Sequence, residues 1–208
     1  MRPNTLSRTE TDEELRDLLR GGSSLGGARP RAHVIDNEGR IATAKFPSSR
    51  FDSRDVTEWE SVALHLALLA GLVVPRSELL RVADPSVLIV DRFDREGHRR
   101  IGYLSAMTML EAEDGAVGSY LEIASAIEEA SPRATEDLHE LRRRMAFTIL
   151  ICNTDDHLRN HAFLHAGGNA WRLSPAFDLN PNPSPTGRSN YPPAQPSSSR
   201  VDGTGLFQ

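Results

Sequence analysis

The sequence predicts a two-lobed α+β protein, with a strand-rich first lobe and a helical second lobe. Short strand-like segments dominate up to residue 103, and two long segments with helical periodicity, 119–130 and 135–151, follow. A chain of 208 residues suits one moderate domain or two small lobes. Both ends are polar and rich in turn-forming residues, so we expect the core to lie between them. The predicted division is an N-terminal segment with a short helix, a first lobe, a second lobe and a disordered tail: 1–20, 21–103, 104–183 and 184–208.

Composition excludes several classes of protein. The net charge is −5 and no long basic run is present, which argues against direct nucleic acid binding. The single cysteine, Cys152, excludes an internal disulfide, and the N-terminus lacks the apolar segment of a signal peptide. The longest apolar stretch, 62–74, is too short to span a bilayer, which needs about 20 residues. We therefore expect a cytoplasmic protein with no membrane association.

The first lobe begins with a glycine-rich segment. Thr11 to Glu14 has the form of a helix-capping box, and the helix it predicts would end at Gly21. The segment 21–30 then carries four glycines, which allow backbone amides to approach an anion closely. It fits a phosphate-binding loop or a plain flexible linker. Two strands are predicted next, Ala32–Ile35 and Arg40–Phe46, joined by a hairpin turn.

Lys45 lies in the second of these strands and is the only lysine of the chain. A lysine is a compact charge that can reach phosphate oxygens from a strand, although a lone lysine is more often a solvated strand residue. Glu60 follows fifteen residues later on a predicted helix, 55–72, and is either the partner of this lysine or a surface glutamate. The apolar residues of that helix recur at helical spacing: Val56, Trp59, Val62, Ala63, Leu66, Ala67 and Ala70.

A candidate hinge closes the first lobe. Strands are predicted at 79–82 and at Val87–Val90, and the second of them runs into Asp91-Arg92-Phe93-Asp94-Arg95. A buried strand that ends in mixed polar and aromatic residues is a suitable place for backbone groups to meet an adenine.

The second lobe contains the segment with the clearest chemistry. Asp155 and Asn160 lie five positions apart, the spacing at which kinase catalytic loops place a base and a metal ligand. Alone, the pattern favours a capped turn, because short Asp/Asn patterns often occur in turns. A predicted hairpin, 162–173, and then Phe177-Asp178-Leu179 follow in the order in which kinases present the second metal ligand. Together with Lys45 upstream, this order favours the kinase interpretation.

At this point the chain resembles the HipA family of toxin-type serine/threonine protein kinases. The resemblance implies a protein-kinase-like fold and a kinase that depends on ATP and Mg²⁺. It also implies the toxin part of a toxin–antitoxin system, restrained by a helix-turn-helix antitoxin. The implied substrate is a translation-related protein such as an aminoacyl-tRNA synthetase. The resemblance rests on six segments: Gly26-Gly27-Ala28-Arg29-Pro30, Ala44-Lys45-Phe46-Pro47, Trp59-Glu60, Val90-Asp91-Arg92-Phe93-Asp94-Arg95, Asn153-Thr154-Asp155-Asp156-His157-Leu158-Arg159-Asn160, and Pro175-Ala176-Phe177-Asp178-Leu179.

The resemblance assigns roles by position. Asp155 matches the catalytic aspartate that orients and deprotonates the acceptor hydroxyl, and Asn160 and Asp178 match the magnesium ligands. Lys45 matches the lysine that contacts the ATP phosphates, and Glu60 is its supporting partner.

Other implied positions lie in the first lobe. Asp91 and Phe93 match the segment that lines the adenine pocket. Ser24, or the adjacent Ser23, falls near the serine that family members autophosphorylate. The remaining nucleotide-binding positions belong to the glycine-rich loop: Gly26, Gly27 and Ala28.

His157 leaves two interpretations open. It is either a structural residue that ties the loop to the helical lobe, or a transition-metal ligand together with Asp155 and Asp156. The second would make the chain a metal-dependent phosphohydrolase. The first is favoured, because a catalytic zinc usually needs more than one imidazole or thiolate donor.

The chain also departs from the resemblance at both ends. Family members carry a subdomain before the glycine-rich segment and a long helical continuation after the Phe-Asp-Leu segment, and the sequence matches neither. The segment after Pro183 is rich in proline and serine and predicts no core. We therefore expect an incomplete C-lobe, and the alternative function is a truncated, non-catalytic remnant that binds a nucleotide or an antitoxin.

Overall fold

The first lobe is built on a four-stranded antiparallel sheet. A computed structural model describes residues 30–35, 39–47, 55–81, 86–97, 99–113 and 118–182. The strand order in the sheet is β1-β2-β4-β3. Its strands are β1 (Arg31–Ile35), β2 (Ile41–Lys45), β3 (Ser77–Leu80) and β4 (Val87–Asp91). The strands predicted in this region are confirmed to within two residues at each end. The predicted helix before residue 21, the glycine-rich segment and the tail 184–208 lie outside the described residues.

One helix, α1 (Val56–Leu69), packs on this sheet. Asp55 caps its start by accepting a hydrogen bond from the Glu58 amide at 3.0 Å. The apolar repeat in the sequence includes Trp59 and Val62, yet Trp59 is 42% exposed and Val62 is 48% exposed. The buried face is instead defined by five residues: Thr57, Glu60, Ala63, Leu64 and Ala67. The two alanines allow the helix to approach the sheet closely, and this orientation carries Glu60 inward.

The second lobe combines two helices with a three-stranded sheet. The helices are α3 (Tyr120–Ala130) and α4 (Ala134–Leu150), and the short α2 (Ala106–Met109) precedes them. The sheet has the order β7-β8-β9, from β7 (Tyr103–Ser105), β8 (Ala162–Gly167) and β9 (Ala170–Leu173), so the predicted hairpin is confirmed. A small hairpin, β5 (Arg95–Glu96) with β6 (Arg99–Arg100), lies between the lobes in sequence.

One strand extends across the predicted boundary between the lobes. The sequence put that boundary after residue 103, which falls inside β7. Because Tyr103 pairs with Leu164 of β8, this strand belongs to the sheet of the second lobe. The two-lobed α+β architecture itself is as predicted. Among the described helices, none combines the length and the apolar character needed to cross a bilayer.

The lobes are joined at the segment that follows α1. The Val73 amide donates to Glu140 of α4 at 3.1 Å, and the Val73 carbonyl accepts from the Ala176 amide at 2.7 Å. Ala176 and Leu179 lie in the same core cluster as Leu64 of α1 and Leu88 of β4. The chain around Asp178 is therefore packed against the first lobe.

A buried carboxylate fixes α4 to the sheet of the second lobe. Asp137 accepts hydrogen bonds from Arg172 at 2.8 and 2.9 Å, from the Ser131 hydroxyl at 2.7 Å and from the Leu173 amide at 3.2 Å. Burial disfavours the charged form, but these hydrogen bonds together outweigh it and hold the pKa of Asp137 below its ordinary value of 3.8.

Asp137→Asn is therefore expected to lower the free energy of unfolding by about 2 kcal/mol at pH 7. A carboxylate with a lowered folded-state pKa stabilises the fold above its unfolded-state pKa, and this stabilisation is lost as the pH falls through the folded-state value. The difference between variant and wild type should therefore shrink between pH 7 and pH 3. Urea denaturation at the two pH values measures it, with Glu129→Gln at an exposed position of α3 as control. An equal deficit at both pH values would contradict the electrostatic explanation.

Candidate functional site

Lys45, at the end of β2, bridges two carboxylates from different parts of the chain. Its Nζ donates to Glu60 Oε1 of α1 at 2.5 Å and to Asp178 Oδ1. The three side chains are 12%, 7% and 16% exposed. The structure therefore brings together three residues that the sequence proposed for one site, and it excludes the alternatives in which Lys45 and Glu60 are solvated surface residues.

A second cation reaches the same aspartate. Arg31 lies directly opposite Lys45 in the β1–β2 register, so both side chains leave the same face of the sheet. Its Nη2 lies 3.4 Å from Asp178 Oδ2. No local pattern singles out Arg31 among the many arginines, because its proximity to Asp178 depends on the strand pairing.

The two carboxylates differ in their electrostatics. Burial raises the pKa of Glu60, and the positive charge of Lys45 opposes this effect. Burial also acts on Asp178, but Lys45 and Arg31 outweigh it and hold the pKa of this carboxyl below its ordinary value. Asp178 is thus kept ionised inside a largely enclosed site, which is the state that a magnesium ligand requires.

The backbone at Asp178 is held in an unusual conformation. Its φ angle is +53°, in the left-handed region that a residue other than glycine adopts at a cost of about 1–3 kcal/mol. The neighbouring Phe177 ring lies 5.4 Å from the ring of Phe93, and Leu179 is buried in the core. Packing on both sides of Asp178 therefore fixes where its carboxylate lies.

The Asp155–Asn160 segment forms a tight loop after α4. The Asp155 amide donates to Asn153 Oδ1 at 3.2 Å, and Asn160 Nδ2 donates to the Asp155 carbonyl at 2.8 Å. These are the bonds of the capped turn considered in the sequence, and they use the backbone of Asp155. Asn160 is buried, whereas Asp155 is exposed. The loop therefore leaves the Asp155 carboxylate accessible to a substrate hydroxyl.

The chain following Asp178 returns to this loop. The Asn182 amide donates to the Ile151 carbonyl at 3.2 Å, and Asn182 Nδ2 lies 3.4 Å from the Thr154 hydroxyl. The segment that carries Asp178 is thus tied both to Lys45 and to the start of the Asp155 loop.

Asp156 and His161 form a contact that the sequence did not predict. Asp156 is buried, with Oδ2 accepting from the Tyr120 hydroxyl at 2.5 Å and Oδ1 lying 3.0 Å from His161 Nε2. The sequence favours His157 as the residue that connects the loop to the helical lobe, but His157 is exposed. His161, which directly precedes β8, makes the contact with Asp156 instead.

The same geometry speaks against the phosphohydrolase interpretation. Asp155 and His157 are exposed, while both carboxylate oxygens of Asp156 are engaged by Tyr120 and His161. Within the part of the chain that the structure describes, no group of three or more His, Cys, Asp and Glu side chains is arranged to hold a metal ion.

The candidate hinge lies beside the site. Phe93 contacts Phe177 and has its ring centroid 6.3 Å from that of Tyr103. Asp94 is buried and accepts from Arg92 and Arg95 at 2.5 and 2.6 Å, which fixes the segment. The Asp91 carboxylate lies 3.4 Å from Arg40 Nε. Five of the predicted positions lie outside the described residues: Ser23, Ser24, Gly26, Gly27 and Ala28.

The donor set suits magnesium carried on a nucleotide. Mg²⁺ takes hard oxygen ligands and is usually bound through one or two carboxylates together with substrate phosphates. Asp178 supplies an ionised carboxylate, whose oxygens pair with Lys45 and Arg31 in this structure and would exchange part of that pairing for the ion. The amide of Asn160 donates through Nδ2 and has its oxygen as a further donor atom. The side-chain types present therefore suit the ion that the sequence predicts.

A family model and two known relatives match most of the described part of the chain. A family model described as the HipA-like C-terminal domain matches residues 23–202. A putative kinase, Y4dM, of Sinorhizobium fredii is 28% identical over 150 residues, covering 65% of this chain and 36% of that protein. A putative kinase of Haemophilus influenzae is 22% identical over 179 residues, covering 76% of this chain and 52% of that protein. The chain thus spans between about a third and a half of these relatives.

Solved structures show the same fold. HipA of Shewanella oneidensis, in a toxin–antitoxin complex with HipB and operator DNA, superposes with a TM-score of 0.68 at 16% identity. That match covers 82% of this chain and 49% of HipA. The Helicobacter pylori proinflammatory kinase CtkA gives a TM-score of 0.55 at 18% identity, covering 72% of this chain and 54% of CtkA. The chain therefore has the kinase-like fold that its sequence predicts.

Proposed function

Because the chain belongs to the family of HipA-like C-terminal domains, we propose that it binds ATP with Mg²⁺ and transfers the γ-phosphoryl group to a serine or threonine hydroxyl of a protein. The observation that carries this proposal is the bridge from Lys45 to Glu60 and Asp178. A lysine held by a glutamate on a neighbouring helix is positioned to contact phosphate oxygens, and the aspartate beside it is positioned to hold the metal.

The chemistry follows from the positions of the side chains. Asp155 accepts a hydrogen bond from the acceptor hydroxyl, orients it towards the γ-phosphorus and receives its proton as the new O–P bond forms and the bond to the leaving diphosphate breaks. Asn160 and Asp178 would hold Mg²⁺, and the bound ion would supply positive charge that offsets the charge of the phosphates. Lys45 contributes a fixed positive charge at the same oxygens, so most of the catalytic effect comes from positioning and charge stabilisation.

The remaining nucleotide contacts come from the first lobe. We assign the adenine pocket to the segment with Asp91 and Phe93. From the resemblance alone we assign phosphate contacts to Gly26, Gly27 and Ala28, which lie outside the described residues. Ser24 or Ser23 is the candidate for autophosphorylation. Phe93 supports this arrangement, because its ring contacts Phe177, the residue next to Asp178.

Asp178→Asn is expected to remove most of the magnesium dependence of ATP binding. The amide keeps the shape of the side chain but loses the charge that binds the ion, so the affinity measured with Mg²⁺ should fall at least about tenfold, or about 1.4 kcal/mol. The affinity measured without Mg²⁺ should change less. Calorimetric titration under both conditions tests this, with Glu113→Gln, the same carboxylate-to-amide change at an exposed position, as control. An undiminished response to Mg²⁺ in Asp178→Asn would remove that residue from the metal site.

The biological setting is proposed from the HipA complex. That structure contains HipB and operator DNA, so we propose that this chain is likewise the toxin component of a toxin–antitoxin system, restrained in the cytoplasm by a helix-turn-helix antitoxin. The proposed substrate class is a translation-related protein such as an aminoacyl-tRNA synthetase. Co-elution of the purified chain with a HipB-type protein tests the partner, and separate elution at micromolar concentrations would contradict it.

A further inference from the structure

The first residue of α3 forms a hydrogen bond with the loop that carries Asp155. The hydroxyl of Tyr120, the first residue of α3, donates to Asp156 Oδ2 at 2.5 Å, across 36 positions of sequence. Asp156 is 4% exposed, so this hydrogen bond is shielded from water. Loss of the Tyr120 hydroxyl therefore acts directly on the residue that follows the proposed catalytic base.

The other carboxylate oxygen of Asp156 contacts His161, at the far end of the same loop. His161 Nε2 lies 3.0 Å from Asp156 Oδ1, and the His161 ring meets the Tyr120 ring edge-on, with centroids 5.2 Å apart. Asp156 follows Asp155, and His161 follows Asn160. The contact thus holds the loop immediately next to the proposed base and immediately next to the proposed metal ligand.

A glycine allows the loop to approach α3. A Cβ atom at Gly118 would lie 2.6 Å from Cδ1 of Leu158 and closer still to its Cγ and Cδ2. Leu158 is 5% exposed and belongs to the core cluster of the second lobe, so it has little room to withdraw. The carbonyl of His161 also accepts from the Ala106 amide at 2.8 Å, which anchors the far end of the loop to the start of α2.

We propose that Tyr120, Asp156 and His161 are positioning residues for phosphoryl transfer, which hold the Asp155–Asn160 loop in its reactive geometry without touching the substrate. This inference rests on the proposed function. Its physical basis is that a displacement of about 1 Å in the reacting groups can reduce the rate by about 10²-fold, whereas most of the proposed nucleotide contacts, from Lys45, Asp91 and Phe93, lie in the first lobe. Loss of the Tyr120 hydroxyl should therefore reduce turnover without weakening ATP binding.

Tyr120→Phe tests this with the smallest possible change, because it removes one hydroxyl and keeps the ring packed on His161. The expected result is a kcat lower by about tenfold or more, with KM for ATP within about twofold of wild type. The matched control is Ser119→Ala, which removes the capping box of α3, where Ser119 Oγ accepts from the Glu122 amide, and leaves the Tyr120–Asp156 bond intact. If destabilisation alone lowered kcat, Ser119→Ala would show a similar decrease in kcat whenever its melting temperature shifted by a similar amount.

Hydrogen exchange at the amides of Asp155 and Asn160 provides a readout that needs no turnover. These amides should exchange faster in Tyr120→Phe and at the wild-type rate in Ser119→Ala. Unchanged exchange, or faster exchange with an unchanged kcat per folded molecule, would overturn the inference. If wild type itself transfers no phosphate, the proposed function fails, and the exchange rates still decide whether Tyr120 holds the loop.

Discussion

Asp155→Asn is expected to reduce phosphoryl transfer by about 10³-fold, within the range found for loss of a general base, while ATP affinity stays within about twofold of wild type. The Asp155 side chain is exposed, and the hydrogen bonds that shape the loop use its backbone amide and carbonyl. The substitution therefore removes the proton acceptor and leaves the loop and the nucleotide site in place. Transfer of label from γ-labelled ATP, measured beside calorimetric ATP binding, gives both quantities.

The control for this variant is Glu113→Gln, which makes the same carboxylate-to-amide change at an exposed position that we assign no role. Its transfer rate should equal that of wild type. If Asp155→Asn transferred phosphate at the wild-type rate, Asp155 would not be the base. If it lost ATP binding in parallel with turnover, the loss would reflect damage to the site instead of the loss of a proton acceptor.

Lys45→Met is expected to weaken ATP binding by about 100-fold and to lower the free energy of unfolding by about 3 kcal/mol at pH 7. Lys45 is the shared partner of Glu60 and Asp178, and all three are largely buried. Without it, Glu60 keeps a buried charge with no partner at its Oε1, whereas Asp178 still has Arg31 at 3.4 Å. Most of the stability loss should therefore come from Glu60.

The pH dependence of this variant has a definite sign. Burial raises the folded-state pKa of Glu60 above its ordinary value of 4.5, and removing Lys45 removes the charge that opposes this rise. A carboxyl with a raised folded-state pKa does not lower the free energy of unfolding when the pH is below its unfolded-state pKa. The free energy of unfolding falls as the pH rises through the folded-state pKa, because the buried carboxyl then becomes charged. The deficit of Lys45→Met should therefore be largest at neutral pH and should shrink towards pH 4.5.

A double variant separates stability from binding in this prediction. Lys45→Met with Glu60→Gln removes both members of the pair, so the melting temperature should recover part of the loss, while ATP affinity should remain low. If Lys45→Met alone bound ATP normally and melted like wild type, the bridge would have neither the electrostatic role nor the binding role assigned to it.

The sequence predicted the fold, and it singled out Lys45, Glu60 and Asp178, which the structure brings together, because local patterns mark these features. The strand pairs, the capped helix that carries Glu60 and the order of Lys45, Asp155 and Asp178 are all readable from spacing and residue type. The juxtaposition of Lys45 with Asp178, 133 positions apart, was implied by the order of the motifs and by the resemblance, and the structure places the two side chains in contact.

Other features could not be predicted, for identifiable physical reasons. Apolar residues occur on more than one side of α1, so periodicity did not show that the face with Thr57 and Glu60 would be buried while Trp59 stays exposed. The hydrogen bond between Tyr120 and Asp156 joins residues 36 positions apart, and no local pattern reveals it. The sequence therefore favours His157 as the structural histidine, whereas His161 is the one that contacts Asp156. The position of Arg31 beside Asp178 likewise depends on strand register.

The most direct test of the account is whether the unaltered chain transfers the γ-phosphate of labelled ATP to protein. The proposed function predicts Mg²⁺-dependent incorporation of label at serine or threonine, in the chain itself or in an added protein fraction, that is lost when Mg²⁺ is removed with a chelator. Tight, Mg²⁺-dependent binding of ATP without any transfer of label would contradict the kinase activity. That result would instead support the alternative of a nucleotide-binding protein that performs no phosphoryl transfer.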